Sequence, residues 1–279
     1  MTSEDYEKRF TILKPVIRNA GKEVKRLRDE GLLTQRIKGD GSPVSSADEW
    51  ANQFLRNAIE QHFPNEVVIG EEDENKSYPP GTDLVWYIDP IDGTKSYLEG
   101  KNDYYVLIGL TYKGIPVFGL HYRPETAELI YGWPGQRPAS VNLSGRPSKP
   151  MKPISDWSYE PRIYLKSYDI ALREAIKSYG VKRARYAPGM VDMVAPLFGM
   201  AEGFASYRKS AYWDLAAPAA IMNAAGFRHA SQANDLHKTV LFNDGSWNTD
   251  FYYNLPPSSP DSFIEHLVKV RREFQTDSI

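Results

Sequence analysis

Apolar residues recur at helical spacing near the start of the chain. Ile12, Leu13, Val16, Ile17, Ala20, Val24 and Leu27 share one face, with charged residues between them. The pattern predicts an amphipathic helix over residues 6–30. A polar stretch follows at 34–45 and carries Gly39-Asp40-Gly41, the composition of a hairpin tip. Helical spacing resumes at 46–63, where Ser46 and Glu49 fit a capping box with Ser46 as N-cap. The period then shortens. Apolar, β-branched runs at 67–69, 84–88, 104–112, 116–122 and 128–131 read as strands, with Lys113-Gly114 as a turn.

Residues 133–157 hold seven prolines and glycines among several serines, and read as a linker or domain seam. Beyond them the pattern alternates. It predicts strands at 162–166, near 183–186, at 203–207 and at 240–243. Helices are predicted at 170–179, 192–202, after Trp213 and at 263–274. A strand-rich half followed by an alternating half suggests α+β and α/β layers, divided as 1–150 and 151–279.

Composition narrows the class. The 279 residues are 41% hydrophobic and 25% charged, globular values. A net charge of −2 gives no reason to expect a nucleic acid polymer as partner. There is no cysteine, so disulfides and thiol nucleophiles are excluded. The charged start, Met1-Thr2-Ser3-Glu4-Asp5, does not read as a signal peptide, and no stretch approaches a membrane span. The expected location is the cytoplasm. His62, His121, His229, His237 and His266 are scattered without metal-ligand spacing and read as surface or loop residues.

The chemistry concentrates in Trp86-Tyr87-Ile88-Asp89-Pro90-Ile91-Asp92-Gly93-Thr94. Pro90 has no N–H and is expected to end the strand, leaving Asp89 and Asp92 at its C-terminal end. Such carboxylates suit hard cations like Mg²⁺. Gly93 permits a tight backbone, and Thr94-Lys95-Ser96 can open a helix whose N–H groups suit a phosphate. Turn chemistry alone also explains an Asp-x-x-Asp-Gly pair. An EF-hand does not, because its ligand spacing is absent. Nor does an aspartic protease, whose two acids share a proton without a metal.

Three other segments add acids. Val67-Val68-Ile69-Gly70 runs into Glu71-Glu72. Trp213-Asp214 precedes a small-residue helical run, where Asp214 is also readable as an N-cap. Asp48 falls in a first helical turn, where the dipole favours an anion.

In this order the four segments resemble the inositol monophosphatase-like superfamily of Mg²⁺-dependent, lithium-sensitive phosphomonoesterases. The resemblance spans Asp48 to Asp214. It implies a layered αβαβα sandwich with metals in the seam between the halves. It also implies a role for each acid. Glu71, Asp89, Asp92, Asp214 and the Ile91 carbonyl would hold two or three Mg²⁺ ions, with Glu72 close by in the catalytic group. Asp48 and Thr94 would orient and deprotonate the attacking water, and the Gly93 and Thr94 N–H groups would hold the phosphate. Two ions can supply nucleophile activation, charge neutralisation and leaving-group stabilisation together. The partner would be a small phosphorylated metabolite, and relatives are often homodimers.

Lys95 after the motif resembles the 3′(2′),5′-bisphosphate nucleotidase branch, or some histidinol-phosphate phosphatases. Arg208 and Lys209 stand where an acid contacts substrate in inositol monophosphatases, and suit a second phosphate. A solvated loop accounts for them equally. The branch's usual Gly-Ser-x-x-Lys element is missing, since the chain reads Gly189-Met190-Val191-Asp192-Met193. The expected substrate order is a bisphosphate nucleotide, then an inositol or sugar monophosphate, then histidinol phosphate. A silent phosphate- or metal-binding regulator is the reading from a different class.

Overall fold

The computed structural model describes residues 1–79, 81–148, 150–151, 156–165, 170–184, 193–206, 210–230, 248–249 and 252–276. In chain order the elements are α1 (Ser3–Asp29), β1 (Gln35–Ile37), β2 (Pro43–Ser45), α2 (Ser46–His62), β3 (Val67–Gly70), β4 (Leu84–Asp92), α3 (Thr94–Leu98), β5 (Tyr105–Tyr112), β6 (Ile115–Arg123), β7 (Glu128–Trp133) and β8 (Gln136–Asn142). There follow β9 (Arg162–Leu165), α4 (Ile170–Ser178), β10 (Lys182–Arg183), a 3₁₀ turn (Ala195–Phe198), β11 (Gly203–Ser206), β12 (Ser210–Ala211), α5 (Tyr212–Ala224), β13 (Arg228–Ala230), β14 (Asn248–Thr249), β15 (Tyr252–Leu255) and α6 (Asp261–Thr276).

A six-stranded sheet runs in the order β3-β4-β5-β6-β7-β8. Only β3 and β4 pair in parallel; the other neighbours are antiparallel. Strand alternation gives each face its own core. Trp86, Ile88, Ile108, Leu110, Phe118 and Leu120 pack against Leu13 and Ile17 of α1 and Leu55 and Ile59 of α2. Val85 and Tyr87, on the other face of β4, pack with Trp213, Leu215 and Ala219 of α5.

A second sheet runs β10-β9-β11-β15-β13. Tyr164, Phe204 and Tyr252 join the α5 core. Their sequence neighbours Leu165, Ala205 and Tyr253 pack instead with Leu172 and Ile176 of α4 and Phe263 and Leu267 of α6. The layers are therefore α1/α2, sheet, α5, sheet, α4/α6, the expected αβαβα sandwich.

The middle layer explains the composition of α5. Leu215, Ala216, Ala217, Ala219, Ala220 and Ile221 are all buried, as a helix between two sheets requires. Its small residues sit on a row of glycines. Gly109, Gly119 and Gly132 are register partners across β5, β6 and β7. A Cβ at Gly109 would come within 2.5 Å of the Ala217 nitrogen, and one at Gly119 within 2.2 Å of the Ala217 carbonyl oxygen. The helix thus rests on bare strand backbone.

Several expectations change. The strand through Pro90 does not end there: Asp89 pairs with Leu107, and pairing resumes at Asp92 with Tyr105. That leaves one extra residue on β4, a bulge that tolerates the missing N–H. The stretch expected as a linker contains β8, which pairs with β7. In the described part of 192–202, the chain makes a 3₁₀ turn instead of a long helix. The N-cap of α2 is Ser45, with Asp48 at the third helical position, one residue earlier than the box expected at Ser46 and Glu49. His121 is no surface residue; it is 1% exposed on β6. The strand expected at 240–243 lies outside the described residues. Among the described residues no helix is long and apolar enough to cross a membrane.

Candidate active site

Parallel pairing brings two acidic strand ends together. Gly70 is the register partner of Ile88, and the next residue on each chain is an acid, Glu71 and Asp89. The Glu71 N–H donates to the Ile88 carbonyl at 3.1 Å, extending the ladder to the site. After the bulge, Asp92 and Gly93 lead into α3. Gly93 takes φ +90° and lies against the Asp103 carbonyl oxygen, 2.7 Å from where a Cβ would stand. Both facts require glycine here.

Asp48 is only 1% exposed. Its Oδ2 accepts from the Ser45 N–H at 2.8 Å and the Ser45 hydroxyl at 2.5 Å. Its Oδ1 lies 3.0 Å from the Thr94 hydroxyl, which is also 2.9 Å from the Ile91 carbonyl oxygen. One hydroxyl proton therefore has two acceptors, and either oxygen can hold it. Asp214 lies in the first turn of α5, whose N-cap is Ala211. It is not the N-cap itself. The glycine row fixes how closely its helix approaches the sheet.

The acids feel one another. Burial pushes the Asp89 carboxyl well above its usual range, and the charges of Glu71, Asp92 and Asp214 push it further. Burial likewise raises Glu71 to about 7; Lys38 opposes the rise, while Asp214 and Glu72 add to it. Burial also raises Asp48, against the hydrogen bonds from Ser45 and Thr94. Such mutual repulsion in a low-dielectric site calls for a cation.

Sequence reasoning missed one such cation. Lys38 follows β1 at the base of the β1–β2 hairpin tip, closed by the Lys38 N–H to the Ser42 carbonyl at 2.8 Å. Its Nζ lies 2.9 Å from Glu71 Oε1 and 2.6 Å from Glu72 Oε1. Burial alone would lower the Lys38 ammonium, yet the two carboxylates outweigh it and raise it. The only signal in the sequence was a lysine beside the hairpin tip.

No three His, Asp or Glu side chains among the described residues are gathered tightly enough to hold a metal ion as they stand. The donor chemistry nonetheless fits Mg²⁺. Every candidate ligand is a hard oxygen, and the raised Asp89 and Glu71 carboxyls lack enough positive charge between them. Arg208 and Lys209 lie outside the described residues.

The sequence profile described as "Inositol monophosphatase family" matches residues 5–248. The chain belongs to this family. Family members are phosphatases that hydrolyse phosphoric monoesters, typically with Mg²⁺ and with lithium sensitivity. The chain is 33% identical over 167 residues to the bifunctional phosphatase IMPL2, chloroplastic, of Arabidopsis thaliana, covering 56% of this chain and 48% of that protein. It is 34% identical over 110 residues to a histidinol-phosphatase of Chlorobaculum parvum, covering 39% of this chain and 40% of that one. The chain thus spans less than half the length of these two relatives. Similarity to the 3′(2′),5′-bisphosphate nucleotidase CysQ of Escherichia coli is 25% over 222 residues, or 75% of this chain and 85% of CysQ. In three dimensions the chain resembles inositol monophosphatase II of Staphylococcus aureus, with a TM-score of 0.74 at 20% identity, covering 96% and 97% of the two chains. That likeness establishes the family's fold for this chain.

Proposed function

We propose that this protein is a Mg²⁺-dependent phosphomonoesterase that hydrolyses a small phosphorylated metabolite by attack of water. The observation that carries the reading is the Asp48–Thr94 hydrogen bond of 3.0 Å, together with the buried Asp89 carboxylate and the partly buried Glu71 carboxylate at the paired ends of β4 and β3. Glu71, Asp89, Asp92, Asp214 and the Ile91 carbonyl would hold the metal, in a set of two or three ions. When bound, Mg²⁺ supplies charge neutralisation at the phosphate oxygens and acidifies water.

The chain's own groups do the rest. Asp48 is more basic than an exposed aspartate because it is buried, so it can take a proton from the Thr94 hydroxyl. Thr94 in turn can accept the proton of a water placed against it. Ser45 holds Asp48 in the right rotamer through two hydrogen bonds. The Gly93 and Thr94 N–H groups are assigned to the phosphate, where the left-handed Gly93 sets their direction. Glu72 and Lys38 flank the acids on the hairpin side.

For the substrate we rank a 3′(2′),5′-bisphosphate nucleotide first, supported by the similarity to CysQ over most of both chains. Inositol or sugar monophosphates are the second reading, in keeping with the family's fold. Histidinol phosphate is the third, supported by the shorter match to the Chlorobaculum parvum histidinol-phosphatase. The test is a panel of 3′-phosphoadenosine 5′-phosphate, histidinol phosphate, inositol 1-phosphate and fructose 1,6-bisphosphate, with Mg²⁺ and with EDTA. The bisphosphate nucleotide should show the highest kcat/KM, and replacing Arg208 and Lys209 by Ala should raise KM for bisphosphates alone. No Mg²⁺-dependent phosphate release from any of them would leave the silent regulator in its place.

A further inference from the structure

Glu71 and Glu72 are the two central residues of a tight turn that is closed twice. The Asp73 N–H donates to the Gly70 carbonyl at 3.2 Å. The Asp73 side chain returns the bond: its Oδ2 accepts from the Gly70 N–H at 2.6 Å. The other acceptor positions of Asp73 are used by α2. Asn52 Nδ2 donates to Oδ1 at 2.8 Å, Arg56 Nε donates to Oδ1 at 3.3 Å, and the second arm of Arg56 pairs with Oδ2. Arg56 also donates to the Val68 carbonyl of β3 at 2.9 Å. Asn52 packs so closely that a Cβ at Gly70 would lie 2.1 Å from its Oδ1.

The three α2 residues concerned are spaced at i, i+4 and i+8. Asp48, Asn52 and Arg56 therefore line one helix face. The same face that offers Asp48 to Thr94 also grips the turn that carries Glu71 and Glu72. Asp73 contributes no free charge to the cluster, since Arg56 pairs with it. Its effect is geometric: it fixes the backbone from which the two glutamates project.

We propose that Asp73, held by Asn52 and Arg56, is a positioning residue that presets the Glu71–Glu72 turn and thereby sets the cation affinity of the acidic site. This rests on the metal-dependent reading above, in which Glu71 is a ligand. An Asn at 73 keeps the shape but offers one acceptor oxygen where four donors converge, and turns its amide hydrogens toward some of them. The turn loosens, and Glu71 must be ordered when the cation binds. Outer-shell partners of metal ligands typically change affinity by ~10–100-fold when lost.

The test titrates Mg²⁺ into the full chain by calorimetry without substrate, and separately follows kcat and KM at varied Mg²⁺. Asp73→Asn should stay folded by circular dichroism and weaken Mg²⁺ binding by ~10-fold or more. KM for a phosphomonoester at saturating Mg²⁺ should stay within about twofold, because the turn is not assigned to the substrate. In a Glu71→Gln background the effect of Asp73→Asn on Mg²⁺ should shrink to under about twofold, since the positioned group is gone. Should Asp73→Asn not fold, Arg56→Lys serves instead. It keeps the charge, loses the fork, and should weaken Mg²⁺ binding in the same sense. Unchanged Mg²⁺ affinity in the folded variant, or full additivity with Glu71→Gln, overturns the proposal alone. A wild-type chain that binds no Mg²⁺ overturns the proposed function and takes this inference with it.

Discussion

Replacing Gly119 by Ala tests the link between the middle helix and the acidic site. The added Cβ would lie 2.2 Å from the Ala217 carbonyl oxygen, 3.0 Å from its carbon and 3.0 Å from Ile221 Cγ1. An ordinary contact begins near 3.4 Å, so the shortfall is roughly 1.2 Å. The obstacle is helix backbone, which cannot rotate away as a long side chain could. α5 must lift by about 1 Å, yet the second sheet covers its other side. Overpacking of this kind costs ~1–3 kcal/mol, and the upper part of that range is expected because both sides are packed. Asp214 rides on the first turn of α5, so it shifts with the helix. A misplacement of ~1 Å can cost ~10²-fold in turnover. Urea unfolding and kcat/KM, measured on the same preparation, read the two effects. Gly39→Ala is the stability control, because nothing lies within 4 Å of its Cβ position. A Gly119→Ala protein with stability within ~0.5 kcal/mol of wild type and unaltered kcat/KM would refute the reasoning.

Three further outcomes are expected. Asp89→Asn should lower turnover by orders of magnitude while the fold survives, and EDTA should abolish wild-type activity, because a neutral amide is a poor ligand for a hard dication; full activity in either case removes the metal mechanism. Thr94→Ala should lower kcat far more than it raises KM, and Thr94→Ser should keep much of the activity; equal losses would mean that the methyl group, not the hydroxyl, matters. Burial pushes the His121 imidazole down to about 3, with the Arg123 charge adding to the effect. The unfolded chain then takes a proton near pH 6.5 that the folded chain refuses, so stability falls as pH drops from ~6.5 toward 3, by up to ~1.4 kcal/mol per pH unit from this group. In urea titrations at pH 7 and pH 5, His121→Gln should lose less stability between the two than wild type; an identical loss would show that His121 does not contribute.

The first helices and the acids were legible in the sequence because they are local, while the order of the layers was implied by the family resemblance. Amphipathic periods mark α1 and α2, and the acids stand next to apolar strand runs. What escaped depends on partners far along the chain. β8 looked like a linker because Pro138 and its neighbours suggest loop. It is the edge strand of its sheet, where a missing N–H costs no ladder bond. The glycine row is three isolated residues until the register of β5, β6 and β7 aligns them. Lys38 is one more loop lysine until the hairpin folds over Glu71 and Glu72. The cap of α2 moved by one residue because Asp48 bonds back to Ser45, a choice that propensity alone does not separate from Ser46 with Glu49.

The bulge at Pro90–Ile91 has a consequence of parity. On a regular strand, residues three apart point to opposite sides, so Asp89 and Asp92 would face away from each other. Their partners across the ladder are Leu107 and Tyr105, which share one face against Ala217. The extra residue turns an odd interval into an even one and brings both carboxylates to the same side. An odd spacing between two acids, with proline between them, is thus a mark of a bulged strand end. Deleting one residue from the interval would leave the acids two apart on an uninterrupted ladder and still on one side, whereas straightening the strand with every residue kept would put the same acids on opposite sides of the pleat.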